Sequence, residues 1–240
     1  LAKNFYQKHG YIFTENKKFL NDELTELEMQ HKLDNWFTLE KIDEDTYVIS
    51  EYKHREETHC YLLIGKEKAL LIDTGLGVAN IKEVVNGITE LPVMVVTTHV
   101  HWDHIGGHKY FDNITVHENE KEWLMENFPL PLEIVKRNLL DENGEFPECF
   151  DVEKYEVFHG TPQLIMCDND EIDLGERVIK VVHTPGHSPG HCCFYEEQRL
   201  YLYSGDLVYK GCLDMFYPST NPCEFAKSIK KVTGLSVGKI

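Results

Sequence analysis

The sequence predicts an α/β protein of two β-sheets packed together under outer layers of helix. Three observations carry this. Short apolar runs bounded by turn residues occur early and late in the chain. Helical periodicity lies between them and again at the end, and 240 residues at 42% hydrophobic suffice for a sizeable core. Taken in order, "TYVISEY", "THCYLLIG" and "ALLIDTG" read as strands, with residues 65–68 turning a hairpin. "VANIKEVVNGI" repeats apolar residues near a 3.6 period and reads as helix. "PVMVVTT" is a short strand buried on both faces. After residue 160, "QLIMC", "DEIDL", "RVIKVVHT", "HCCFYEE" and "RLYLYSGD" are short strands separated by Gly, Asn or Glu-Gln turns. "NPCEFAKSIKKVTGL" places an Asn cap before a helical run.

Two segments fall outside this pattern. Residues 1–35 are polar, with helix-like spacing at Leu24, Leu27 and Leu33, and read as an N-terminal extension containing a helix. It could serve a homodimer contact. Residues 36–240 form the main domain, interrupted at about 118–160 by a stretch rich in prolines and aromatics. That stretch reads either as a poorly patterned surface helix pair or, the reading preferred, as a lid over a pocket, with Trp123, Phe128, Phe146, Phe150, Tyr155 or Phe158 as apolar wall.

A net charge of −17 argues against nucleic acid or an anionic membrane as partner. No apolar run approaches the ~18 residues of a membrane span, and "LAKNFYQKHG" lacks the apolar core of a signal peptide, although without a leading Met the natural N-terminus is expected to lie further upstream. Seven cysteines at irregular spacings read as reduced thiols, which points to the cytoplasm.

The chemistry is concentrated in "TTHVHWDH", directly after the apolar strand. Imidazole and carboxylate are the ligands of zinc and other divalent metals. His99 and His101 alternate on an extended segment, so they point the same way. Asp103 and His104 follow where Gly106 and Gly107 permit a bend, so one loop can present two pairs of ligands. "HTPGHSPGH" offers His183, His187 and His191 on a Pro-Gly loop with His187 at its apex, and "LYLYSGDL" puts Asp206 at a strand end.

"LLIDTG", "THVHWDHIGG", "HTPGHSPGH" and "SGD" together resemble the ordered motifs of the metallo-β-lactamase superfamily, from about residue 45 to the end. The resemblance implies a four-layer αβ/βα sandwich of two mixed sheets, with a dinuclear site at one edge. It implies His99, His101 and His187 on one metal, Asp103 and His104 on the second, and Asp206 bridging. Asp73 would orient the site from behind its ligands. His183 and His191 are left as structural, with His59, His108, His117 and His159.

An aspartate in "SGD" is similar to glyoxalase II-like thioesterases and lactonases, whereas zinc β-lactamases usually place cysteine there. The family also expects a last histidine in a Gly-His segment beyond the final helix. This sequence reaches "GLSVGKI" without it, and "VGKI" reads as the start of the strand that would deliver it, cut short by truncation.

The expected function is therefore hydrolysis of a small-molecule thioester, lactone or related ester by a hydroxide bridging two divalent ions, zinc first, with manganese or iron as alternatives. Asp103 would orient the nucleophile and shuttle its proton. Tyr209, three residues past Asp206, would hydrogen-bond the carbonyl or leaving group, its bland reading being a packed aromatic. Two other readings stand beside this one. A mononuclear iron persulfide dioxygenase would use only His99, His187 and Asp206, and a non-catalytic metal-binding module would need no open coordination position.

Overall fold

The computed structural model describes residues 36–140, 146–211, 213 and 217–240 in full, together with the backbone of two N-terminal strands. The chain divides into two compact units, Leu1–Trp36 and Phe37–Ile240. In the first, strands β1 (Tyr11–Phe19) and β2 (Thr25–His31) pair antiparallel, with an irregularity between Phe13 and Lys17. This corrects the helix expected around Leu27, while Leu24 and Leu33 lie outside the described residues. Leu27 and Met29 lie two residues apart, which is the period of a strand, and β1 supplies the partner.

The second unit holds a seven-stranded sheet in simple sequence order. Its strands are β3 (Thr38–Asp43), β4 (Thr46–Ser50), β5 (His59–Ile64), β6 (Ala69–Ile72), β7 (Val93–Val96), β8 (Ile114–His117) and β9 (Leu164–Met166). Pairing is antiparallel from β3 to β6 and parallel from β6 to β9. Parallel neighbours need crossovers, and helices supply them. α1 (Ile81–Asn86), capped by the Asn80 side chain, joins β6 to β7, and α2 (Trp102–Ile105) joins β7 to β8. α3 (Lys121–Met125) and α4 (Leu132–Leu140) lie between β8 and β9, within the expected insertion.

The second sheet is β10 (Glu171–Asp173), β11 (Val178–His183), β12 (Cys192–Glu196) and β13 (Tyr201–Tyr203), all antiparallel. Its parallel element is a single bridge from Tyr201 to Lys239. α5 (Pro222–Val232) opens on Asn221, whose side chain accepts from the Cys223 and Glu224 amides.

Side-chain alternation explains the layering. Leu70, Ile72, Met94 and Val96 of the larger sheet meet Ile179, Val181, Cys192 and Phe194 of the smaller one in a single buried cluster. The intervening residues of the smaller sheet, Val182, Cys193, Tyr195 and Leu202, turn outward onto Phe225 and Val232 of α5. Away from this cluster, Arg177 ties the sheets together. It is 3% exposed, pairs through two nitrogens with the buried Glu196, and also donates to the Asp45 and Ile64 carbonyls and to Thr46 Oγ1.

Candidate metal centre

Strands β6, β7, β11 and β13 all end at one edge of the sandwich, and every candidate ligand leaves one of those ends or the turn beyond it. The sheets are joined there by backbone, the Cys192 N–H donating to the Thr98 carbonyl at 2.8 Å. His101 then caps α2, a single turn that carries Asp103 and His104. The turn is cramped. A Cβ on Gly106 would lie 2.3 Å from the Leu76 carbonyl carbon and 2.5 Å from the Gly77 nitrogen, so only glycine lets the two loops touch. Gly106→Ala should destabilise the protein by about 1–3 kcal/mol, as overpacking against backbone does. A thermal midpoint equal to wild type would show that the loop yields freely.

Six side chains converge. His187 Nε2 lies 3.0 Å from His101 Nδ1 and 3.4 Å from Asp206 Oδ2. His104 Nε2 lies 3.3 Å from Asp206 Oδ1 and 3.4 Å from Asp103 Oδ2. His99 Nε2 lies 3.9 Å from Asp206 Oδ2. Two triads thus present donor atoms within 4.8 Å of one another and could each hold a metal ion: His99–His101–His187 and His99–His104–Asp206. The second triad includes His99, which the sequence reading gave to the first metal alone.

Asp73 sits behind this cluster in the left-handed region, at φ +61°. Its carboxylate accepts the Thr98 amide and hydroxyl, both at 2.7 Å, and His104 Nδ1 at 2.8 Å. That bond fixes the His104 ring so that Nε2 faces the other carboxylates. Asp73, expected to orient the site, thus holds both Thr98 and His104.

Electrostatics divides the histidines. Burial and the surrounding imidazoles hold His99 well below the ordinary histidine value, and burial followed by His187 brings His101 down to about 3. Their nitrogens are neutral and keep lone pairs for a ligand role. For His104 burial acts the other way from its neighbours, and Asp103, Asp206 and Asp73 outweigh it, so its pKa is raised. Burial would raise the Asp206 carboxyl, but His104, with His187 and His191 after it, holds it well below the usual range.

A cation suits this donor set. Among the described residues the buried His99 Nε2 has no hydrogen-bond partner. A buried nitrogen left so is costly unless something else binds it. The imidazole and carboxylate donors are those of zinc and its first-row neighbours.

The surroundings hold residues that the motifs did not announce. His191, left as structural, accepts the Asp206 N–H at 3.1 Å and is held from behind by Thr184 Oγ1. Of the expected lid aromatics, Trp123 stacks on His101 with ring centroids 6.3 Å apart and planes 10° apart. Phe146 instead stacks on Phe150, Phe158 meets His108, and the buried Tyr155 donates to the Leu76 carbonyl. Tyr209 is 40% exposed, while the phenol beside a candidate ligand is Tyr217, 5.3 Å from the His101 ring. Glu120, fully buried, bonds both ligand loops. Burial of a glutamate leaves no periodic trace in "HENEKEW", so sequence reading had no signal for it.

The sequence pattern of the metallo-beta-lactamase superfamily matches residues 55–237. The chain belongs to that superfamily. It is 29% identical over 216 residues to the human acyl-coenzyme A thioesterase MBLAC2, covering 83% of this chain and 76% of that protein. It is 33% identical over 170 residues to an uncharacterized protein of Aquifex aeolicus, covering 69% and 72%. A solved metallo-beta-lactamase from Pontibacter korlensis superposes with a TM-score of 0.62 at 20% identity, covering 82% of this chain and 85% of that one, which shows the shared fold. The chain is thus a metal-binding hydrolase of the superfamily.

Outside the centre, His117 and His183 end β8 and β11 and stack 4.0 Å apart. Burial, then His183, lowers His117 from 6.5 to about 4. The unfolded chain takes up the proton that the folded one refuses, so stability falls as pH drops from about 6.5 towards 4. His117→Gln should flatten that acid-side decline in melting temperature. Equal decline in both proteins would rule the histidine out.

Proposed function

We propose that this protein hydrolyses a small-molecule thioester or related ester with two divalent ions, zinc first, held between the two sheets. The observation that carries the reading is Asp206, whose Oδ1 faces His104 while its Oδ2 faces His187 and His99. A carboxylate shared between two sets of nitrogens is what a pair of cations needs. In this reading His99, His101 and His187 hold one ion, Asp103 and His104 the other, and Asp206 both. When bound, such ions supply a water acidic enough to attack near neutral pH and a Lewis acid for the carbonyl oxygen.

The chain's own residues do the rest. Asp103, whose Oδ2 lies 3.4 Å from His104 Nε2, would orient the attacking water and accept its proton. Asp73 keeps His104 turned toward the ions. Trp123 and Tyr217 flank His101 and give the acyl group an apolar wall, with α3 serving as part of a lid. Tyr209 is assigned to hydrogen-bond the leaving group. Water adds to the acyl carbon, the C–S or C–O bond breaks, and the thiol or alcohol leaves with a proton.

A thioester is favoured over a lactone by the named thioesterase relatives. No helix among the described residues is long and apolar enough to cross a membrane, and the six described cysteines are all free. The free cysteines support the cytoplasm as its setting in this reading.

Metal content by mass spectrometry, followed by turnover of acyl-thioester and lactone panels, tests the reading. About two equivalents of zinc or manganese with thioester cleavage are expected. One iron per chain with oxygen uptake on a thiol substrate would replace it with the dioxygenase reading, since His99, His187 and Asp206 converge too.

A further inference from the structure

We propose that Glu120 is a positioning residue for the metal centre. It pins the loop carrying His99 and His101 to the loop carrying His187, and so sets the spacing of ligands drawn from two different sheets. The inference rests on reading those three histidines as a metal site.

The side chain is fully buried, and its two oxygens serve different loops. Oε2 accepts the N–H of Val100, the residue between His99 and His101. Oε1 accepts the N–H of Gly190, three residues beyond His187, at 2.8 Å. Neither loop belongs to a sheet ladder at these points, so these amides depend on Glu120 for their bonds. A carboxylate can accept through both oxygens at once, whereas an amide of the same shape turns a donor toward one of the two N–H groups.

The fit is close. A Cβ on Gly190 would come within 2.9 Å of the Glu120 Cγ, so a residue without a side chain stands where the carboxylate must reach. The 3.0 Å approach of His187 Nε2 to His101 Nδ1 joins ligands from the same two loops that this bond pair connects. Glu120 also closes the short turn Glu118–Glu120 that runs directly into α3, where Trp123 stacks on His101. One segment therefore fixes the backbone on either side of Val100 and the ring plane of a ligand. Groups that orient metal ligands from behind typically change affinity 10–100-fold when lost.

The test is zinc affinity, measured on the 240-residue chain by competition with a chromophoric chelator, together with the visible absorption of the cobalt(II)-loaded protein. Glu120→Gln should bind zinc about 10–100-fold more weakly and shift the cobalt spectrum. Gly190→Ala should act in the same direction by displacing the glutamate without removing its charge, and it carries the test if the Gln variant does not fold. Arg177→Met, which breaks a tie between the sheets remote from the site, should melt earlier yet keep wild-type zinc affinity. Wild-type affinity and spectrum in both Glu120→Gln and Gly190→Ala would overturn the inference. So would an equal loss of affinity in Arg177→Met, which would mark the effect as general destabilisation. A wild-type chain that takes up no zinc would instead sink the metal reading itself.

Discussion

Asp206→Asn is expected to lower thioester or ester hydrolysis by roughly 10³-fold and to reduce the metal retained by the purified protein. The carboxylate opposes His104 with one oxygen and His187 and His99 with the other. Asparagine keeps the shape but removes the charge and turns one acceptor into a donor pointing at imidazole nitrogens. Asp206 would act on the transition state through the ions it helps to hold. Losing one preorganised electrostatic contact of that kind commonly costs 10²–10³ in rate, roughly 3–4 kcal/mol, with lost metal adding to it. The check is kcat beside metal content, both under saturating zinc. Full activity with full metal in the variant would remove Asp206 from the centre. The fold should survive, since Asp206 lies on a turn at the rim rather than in either buried cluster.

Arg177→Met is expected to lower stability strongly, although it lies away from the site. Glu196 is fully buried, and Arg177 meets it through Nε at 3.0 Å and an NH2 group at 2.8 Å. Breaking a buried pair from one side leaves an uncompensated charge, at a cost of about 3–5 kcal/mol. Arg199 Nε, 3.1 Å from the same carboxylate, still partners it, so the lower end applies. For a domain this long about 3 kcal/mol corresponds to roughly 6–12 °C in melting temperature. A companion double variant, Arg177→Met with Glu196→Met, should recover much of the loss, because removing both charges removes the penalty. If the single variant melts with wild type, Arg199 alone satisfies Glu196.

The motifs exposed much of the centre because metal ligands need particular side chains at loop positions that strands deliver. His99, His101, Asp103 and His104 share one short segment, and a run of such residues after "PVMVV" has few other uses. Asp73 was readable for a similar reason, as a carboxylate ending a buried strand. Trp123 was named among six aromatics, yet nothing in the sequence separated it from Phe146 or Phe150, which stack on one another instead. Tyr217 and Glu120 carried no pattern at all. Their roles come from contacts across about 20 to 120 residues of chain, as from Glu120 to Gly190 and from Tyr217 to His101.

By itself the sequence determined the two-sheet class, the strands from β4 to β13 with the exception of β8, the helices α1 and α5, and the side chains proposed as ligands. These depend on periodicity and on local chemistry, which a single chain displays directly. It misread β2 as helix, since seven residues with few apolar positions suit either period and only the pairing with β1 decides. Tertiary structure alone decided that Thr98 and Cys192 join the sheets at the site, that Asp206 turns its two oxygens to different histidines, and that a buried Glu120 holds both loops. Each of these is a distance between residues far apart in sequence, set by how two sheets pack rather than by what either one contains.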